Sequence, residues 1–97
     1  MDDLRFEWDP AKDEANQKKH GVSFDEAKTA FFDDFARVIP DPEHSKGEER
    51  LILLGMSIRL SILVVCHLYF EDENVIRVIS ARKADPTERQ QYSEFLP

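Results

Sequence analysis

Leu4-Arg-Phe-Glu-Trp8 alternates apolar and polar side chains, the two-residue period of a short, half-buried strand. Asp9-Pro10 then starts a helix, because Asp caps free amides and Pro suits the first helical position, where its missing N–H costs nothing. That helix runs to about His20, where Gly21 takes the left-handed conformation that ends it. Its apolar content is limited to Ala11 and Ala15, so most of its surface faces water. Ser23-Phe24-Asp25-Glu26 reads as a capping box, and Phe24, Ala27 and Phe31 follow at i, i+3 and i+7 as one apolar stripe. This second, short helix ends near Phe32. Asp33-Asp34 and the Pro40-Asp-Pro42 break bracket a brief strand, Phe35 to Ile39.

Downstream of a polar, turn-rich stretch from Asp41 to Gly47, three runs rich in Ile, Leu and Val read as strands: Glu49 to Met56, Leu60 to Phe70 and Val75 to Ala81. Glu71-Asp-Glu-Asn74 closes a tight hairpin between the last two. Asp85-Pro86 starts a final helix to about Phe95. The predicted order is β-α-α-β-β-β-β-α, an α+β fold in which an antiparallel sheet carries two N-terminal helices and one C-terminal helix.

Length and charge narrow what such a fold does. A chain of 97 residues is expected to form a single domain, 1–97, whose one core leaves room for an open groove or sheet face rather than a deep cavity. The lone Cys66 forms no internal disulfide, Met1-Asp2-Asp3 lacks the pattern of a secretion signal, and Ser57, Arg59, Ser61 and His67 interrupt the longest apolar run. A cytoplasmic protein without a membrane segment is the expectation. The net charge of −7 opposes broad binding to nucleic acid. Its distribution matters more: residues 1–49 hold 14 acidic and 7 basic side chains, whereas residues 50–97 hold 6 of each. A polyanion is met only locally, and the acidic half suits a basic protein partner.

The residues Phe6-Glu-Trp8-Asp9-Pro10-Ala-Lys12, Asn16, Lys19-His20-Gly21-Val22-Ser23-Phe24, Asp41 through His44 to Gly47-Glu-Glu49-Arg50, Gly55, Val64-Val65, His67 with Tyr69, and Arg77-Val-Ile-Ser-Ala-Arg82-Lys83-Ala together resemble the BrnT family of type II toxin–antitoxin systems. The resemblance spans roughly residues 6 to 92. It implies a RelE-like fold and a metal-independent endoribonuclease that cleaves messenger RNA, inhibits translation and needs no cofactor. It also implies a BrnA-type antitoxin that neutralises the toxin and represses their shared operon, so that operator DNA is met only through the antitoxin. Met56-Ser57-Ile58-Arg59 departs from the family's Gly/Ser-rich turn.

Strand alternation selects the residues for such chemistry. With loops of two or four residues in both hairpins, Val65 pairs with Ser80 and Leu63 with Arg82, and His67, Tyr69, Ser80, Arg82 and Arg50 share one face. Arg77, Ile79 and Lys83 then point the other way. On that face Arg50 and Arg82 would hold the charge that develops on phosphorus, through the planar fork of the guanidinium. His67 or His20 would exchange protons near neutral pH, Lys19 or Lys83 would hold flanking phosphates, and Tyr69 would stack a base. Structural readings compete: His67 as a core histidine, His20 as a cation favoured by the helix C-terminus, Arg82-Lys83 as charges flanking a strand edge. Trp8 reads as a core anchor, Cys66 as packed and inert, and Glu88 and Arg89 as solvated surface. The carboxylates around His44 (Asp41, Glu43, Glu48 and Glu49) read as a solvated turn rather than a metal site. A non-catalytic protein of the same fold, acting as an interaction and operon-repression partner of a DNA-binding antitoxin, is the rival to the enzyme.

Overall fold

Local signals set the helices where the sequence places them. In a computed structural model that describes residues 4–41 and 49–97, Asp9 caps α1 (Pro10–His20) by accepting from the Ala11 N–H, and Gly21, at φ 71°, ends it. Ser23 caps α2 (Phe24–Ala30), and Asp85 with Glu88 forms a reciprocal capping box on α3 (Pro86–Glu94). The strands are β1 (Arg5–Glu7), β2 (Arg37–Pro40), β3 (Arg50–Met56), β4 (Ile62–Phe70) and β5 (Val75–Lys83). Their order along the chain is the one expected. His44, Glu43 and Glu48, with most of the turn-rich stretch, lie outside the described residues.

The five strands lie in the order β1-β5-β4-β3-β2. Four of them are antiparallel, as expected, but β1 joins the edge of β5 in parallel, Glu7 opposite Arg77. A parallel neighbour is reached only by a long crossover, which here is most of the chain. No local pattern announces it.

One face of the sheet is dry. Leu53, Leu63, Val65, Ile76, Val78 and Ala81 point up at Val22 and at Phe24, Ala27 and Ala30 of α2, and all ten are buried. A fully buried Val or Leu contributes roughly 1.5–3 kcal/mol, so this layer carries the fold. Phe6 and Trp8 close its margin edge-on, at 5.2 Å from Phe31 and 6.0 Å from Phe24. Gly55 on β3 lets α2 end close to the sheet: a Cβ there would stand 2.9 Å from the Ala30 carbonyl oxygen.

The helix α1, poor in apolar residues, is tied to α2 by Asp13, which accepts from the Phe24 N–H (2.9 Å), and to the sheet by one amide. β1 covers β5 only as far as Arg77, which leaves the outer edge of β5 open beyond it. Asn16 closes that edge as a further strand would: its Oδ1 accepts from the Ala81 N–H (3.1 Å) and its Nδ2 donates to the Ala81 carbonyl (2.8 Å) and to Val22 O (2.8 Å). Buried backbone groups need such partners.

Two features of the hairpins depart from the expected register. The β3–β4 loop has three residues, Ile58 to Leu60, with the Ser57 N–H bonded to Ser61 O (2.8 Å) and Leu60 left-handed at φ 66°. The β4–β5 loop does have four, and near it His67 pairs with Val78 and Leu68 with Arg77. Between Cys66 and His67, however, the register shifts past a bulge in β5, so that Val65 meets Ala81 and Leu63 meets Lys83. An odd loop and an extra residue each turn a strand's outward set over.

Candidate active site

The consequence is a correction to the predicted face. Arg50, Ser80 and Arg82 do share a face, but His67 and Tyr69 lie on the opposite, helix-covered one, and Arg77 joins the arginines. Arg77 and Arg82 stand five positions apart, and in an unbroken strand they would point in opposite directions. The bulge at Ile79 brings them to one side.

Register lays out this open face in rows. Glu7, Arg77, Leu68 and Arg50 form one row across β1, β5, β4 and β3; Ser80, Cys66 and Ile52 form the next; Arg82, Val64, Leu54 and Arg37 form a third. Strands lie ~4.8 Å apart, which puts the Arg77 and Arg50 backbones about 10 Å from each other with Leu68 between them. The first row forms the floor of a groove of about 390 Å³ whose walls add Trp8, Asp9, Lys12, Val78 and Ile79. Lys12, Arg50 and Arg77 supply its cations, Glu7 and Asp9 its carboxylates. Trp8, packed on Phe24 from one side, faces the groove from another.

Carboxylates hold two of the arginines on this face. Glu7 accepts from Arg77 Nε at 2.7 Å and lies 2.6 Å from its second nitrogen, fixing the guanidinium over the row. Burial and the Asp41 charge push the Cys66 thiol up against the opposing effect of the Arg50 guanidinium, so Cys66 stays protonated and unreactive at neutral pH. Arg82 is engaged differently. Its two terminal nitrogens grip Glu88 bidentately, at 2.8 and 2.9 Å, and the bond to Glu88 raises the guanidinium while the same bond holds Glu88 below the usual carboxylate range. Glu88, read from sequence as solvated surface, is therefore the anchor that seats Arg82 and caps α3. The spacing Asp85-x-x-Glu88 was its signal.

The remaining predicted residues are elsewhere. His67 is 2% exposed, beneath Phe31 at 4.7 Å between ring centroids, with Nδ1 on the Val65 carbonyl. Burial lowers its pKa against the opposing effect of that bond, so the ring is neutral at pH 7. Tyr69, on the same face, donates to Asn74 Oδ1 at 3.3 Å. Lys19 and His20 close the far end of α1, roughly 12 Å along the axis from Lys12. Lys83 stands opposite Leu63 where β5 ends. None of the five lines the groove. Glu7, Lys12 and Arg77, which do, went unselected because parallel pairing and the bulge have no local signature. Among the described residues, no three His, Cys, Asp or Glu side chains gather as a metal site, and no helix is long and apolar enough to cross a membrane.

Arginines ranked across an open sheet face form a surface that suits bidentate contact with phosphate. A family model described as the ribonuclease toxin BrnT of type II toxin–antitoxin systems matches residues 8–88, and the chain belongs to that family. The fold is similar to the crystal structure of the Brucella abortus ribonuclease toxin BrnT, at 27% sequence identity and a TM-score of 0.65, over 84% of this chain and 97% of that one. No curated protein matches the chain. Membership of a type II system implies an antitoxin partner.

Proposed function

We propose that the chain, acting as one domain, is an endoribonuclease that cleaves messenger RNA on its open face, in the cytoplasm, and so inhibits translation until a BrnA-type antitoxin neutralises it. The observation that carries this reading is the row Glu7, Arg77, Leu68, Arg50. Two guanidiniums flank an apolar floor and one carries its own carboxylate, an arrangement suited to a phosphodiester with a proton acceptor beside it.

In this mechanism Glu7 takes the proton of a ribose 2′-OH, whose oxygen attacks the adjacent phosphorus. Arg77 and Arg50 hold the charge that builds on the phosphoryl oxygens, and the Lys12 ammonium gives a proton to the departing 5′-oxygen. The bond between phosphorus and O5′ breaks, leaving a 2′,3′-cyclic phosphate and a 5′-hydroxyl. Trp8 stacks a base, and Arg82, seated by Glu88 two rows away, contacts the backbone farther along the strand. The RNA supplies its own nucleophile and the guanidiniums supply the positive charge, so the step needs neither a metal nor a cofactor. DNA, without the 2′-OH, is met only through the antitoxin at the operator.

Purified, antitoxin-free protein should cut a labelled single-stranded RNA and leave the product with a cyclic phosphate end, equally well in EDTA. Arg77→Ala and Arg50→Ala should each lower the rate by about 10²–10³-fold, the usual cost of one transition-state donor. Intact RNA at concentrations where a related toxin cuts it would refute the activity. Loss of cutting in EDTA, restored by a divalent ion, would refute the metal-free chemistry alone.

A further inference from the structure

The helix-covered face is not covered throughout. With seven residues, α2 is too short to reach the hairpin end of the sheet, and there Phe31, Val38, Leu51, His67, Tyr69 and Ile76 line an apolar groove of about 330 Å³. Val38 and Tyr69 are 51% and 44% exposed on its walls, so apolar surface flanks the groove on both sides.

His67 gives this groove a polar point. Nδ1 is bound to the Val65 carbonyl and therefore carries the ring proton, which leaves Nε2 an acceptor. No described side-chain nitrogen or oxygen that is sealed from solvent lacks a partner. Among the described residues Nε2 meets no hydrogen-bond partner, and His67 lines the groove. Between two of its lining residues, Tyr69 and Asn74, the chain turns through Glu71, Asp72 and Glu73, all exposed. The occupant that fits is apolar, offers one hydrogen-bond donor to the floor and is basic where it leaves the groove.

We propose that the groove formed by Val38, Leu51, His67 and Tyr69, together with the carboxylates of Glu71–Glu73 in the adjoining hairpin turn, docks a basic, apolar segment of the cognate antitoxin. This rests on the chain being an antitoxin-controlled toxin. It separates two tasks that one surface would otherwise share, since the antitoxin is anchored on the face opposite the arginines.

The test uses the full chain and the antitoxin encoded beside its gene, with affinity measured by calorimetry and cutting measured on single-stranded RNA. Val38→Glu should weaken binding by about 30-fold or more, the scale of an interface hot spot, while RNA cutting is retained. Joint reversal of Glu71, Asp72 and Glu73 to Lys should weaken it by roughly 10-fold at low salt, and the difference should shrink at 1 M salt. Arg50→Ala and Arg77→Ala should bind within about 3-fold of the parent. If the arginine variants lose binding and Val38→Glu does not, the antitoxin sits on the open face and the proposal is overturned. Heteronuclear spectra check that Val38→Glu is folded; should it not be, the exposed Tyr69→Ser variant carries the same decision. Binding is read without reference to cutting, so a parent that binds but does not cut RNA refutes the ribonuclease activity and leaves the docking result standing.

Discussion

The two faces of this sheet are made from the same strands, residue by residue in turn, and they have opposite chemistry. On the helix side His67 is enclosed, neutral and flanked by Val65 and Val78; one residue further along β4, on the other side, Leu68 lies between two arginines. Parity alone separates these fates. An active histidine and a core histidine cannot be told apart by residue type, only by which way the strand presents them.

Forcing a charge onto the dry face should have the largest effect. Val65→Arg sets a guanidinium where a fully buried side chain faces Leu53 and Ala81, whereas deleting Ile79 leaves Ser80 and Arg82 alternating with Val78 and Ala81 on their present face. Burying a guanidinium without its carboxylate costs several kcal/mol, comparable with the whole stability of a domain this size. The variant should be insoluble or lack a cooperative thermal transition in circular dichroism. A soluble Val65→Arg that melts like the parent would show that the strand turns over freely and that the two faces are less distinct than drawn.

Substitutions that keep the backbone should divide by face. Val65→Ala and Leu63→Ala remove fully buried side chains, and each should cost about 1–5 kcal/mol in denaturant unfolding while the rate per folded molecule stays within a few-fold. Arg77→Ala and Arg50→Ala should do the reverse, losing the rate while stability changes by less than about 1 kcal/mol. A stability loss from Arg50→Ala as large as that from Leu63→Ala would mean that the arginine row is structural.

This division also measures what the sequence reveals. The caps, Asp9-Pro10, Ser23 and Asp85-Pro86, act within one turn of the chain, and each helix begins where they stand, although Glu26 accepts from Ser57 Oγ instead of completing the expected capping box on α2. Strand identity was likewise legible in the Ile, Leu and Val runs. The pairing was not, because the length of the Ile58–Leu60 loop and the bulge at Ile79 answer to what packs on the sheet, and one residue in either reverses a face. Hence Arg50 and Arg82 were correctly grouped with each other but wrongly with His67, and Arg77 was left out. Glu88 differs, since its capping spacing lies within four residues and was there to be read.

Acid titration should distinguish the faces more gently. Burial depresses the folded-state pKa of His67 below its ordinary 6.5, so as the pH falls from about 6.5 the unfolded chain takes up a proton that the folded chain resists, and stability declines. Glu88 and Asp33 act in the same direction at lower pH. Arg82 holds Glu88 down; for Asp33, bonds from Tyr92, Met56 and Phe35 outweigh the opposing effect of burial, so both contribute stability that is present above their ordinary values near 4 and lost as pH falls through the folded ones. His67→Gln should flatten the unfolding curve between pH 6.5 and 5 and leave the pH dependence of RNA cutting unaltered. If His67→Gln shifts the rate profile instead, the histidine communicates with the open face.

The smallest expected effect tests one of the devices that set parity. Leu60 holds φ 66° in the β3–β4 loop with its side chain exposed, a conformation that costs a residue with a Cβ about 1–2 kcal/mol. Gly adopts it freely but loses more entropy on ordering, which offsets roughly half of the gain. Leu60→Gly should therefore stabilise the chain by about 0.5–1 kcal/mol, seen as a rise of a few degrees in Tm. Cutting should not change, because a three-residue loop with a left-handed last residue is what puts Arg50 opposite Leu68 rather than opposite His67. A destabilised Leu60→Gly would mean that the exposed Leu60 side chain, and not the loop's backbone, maintains that register.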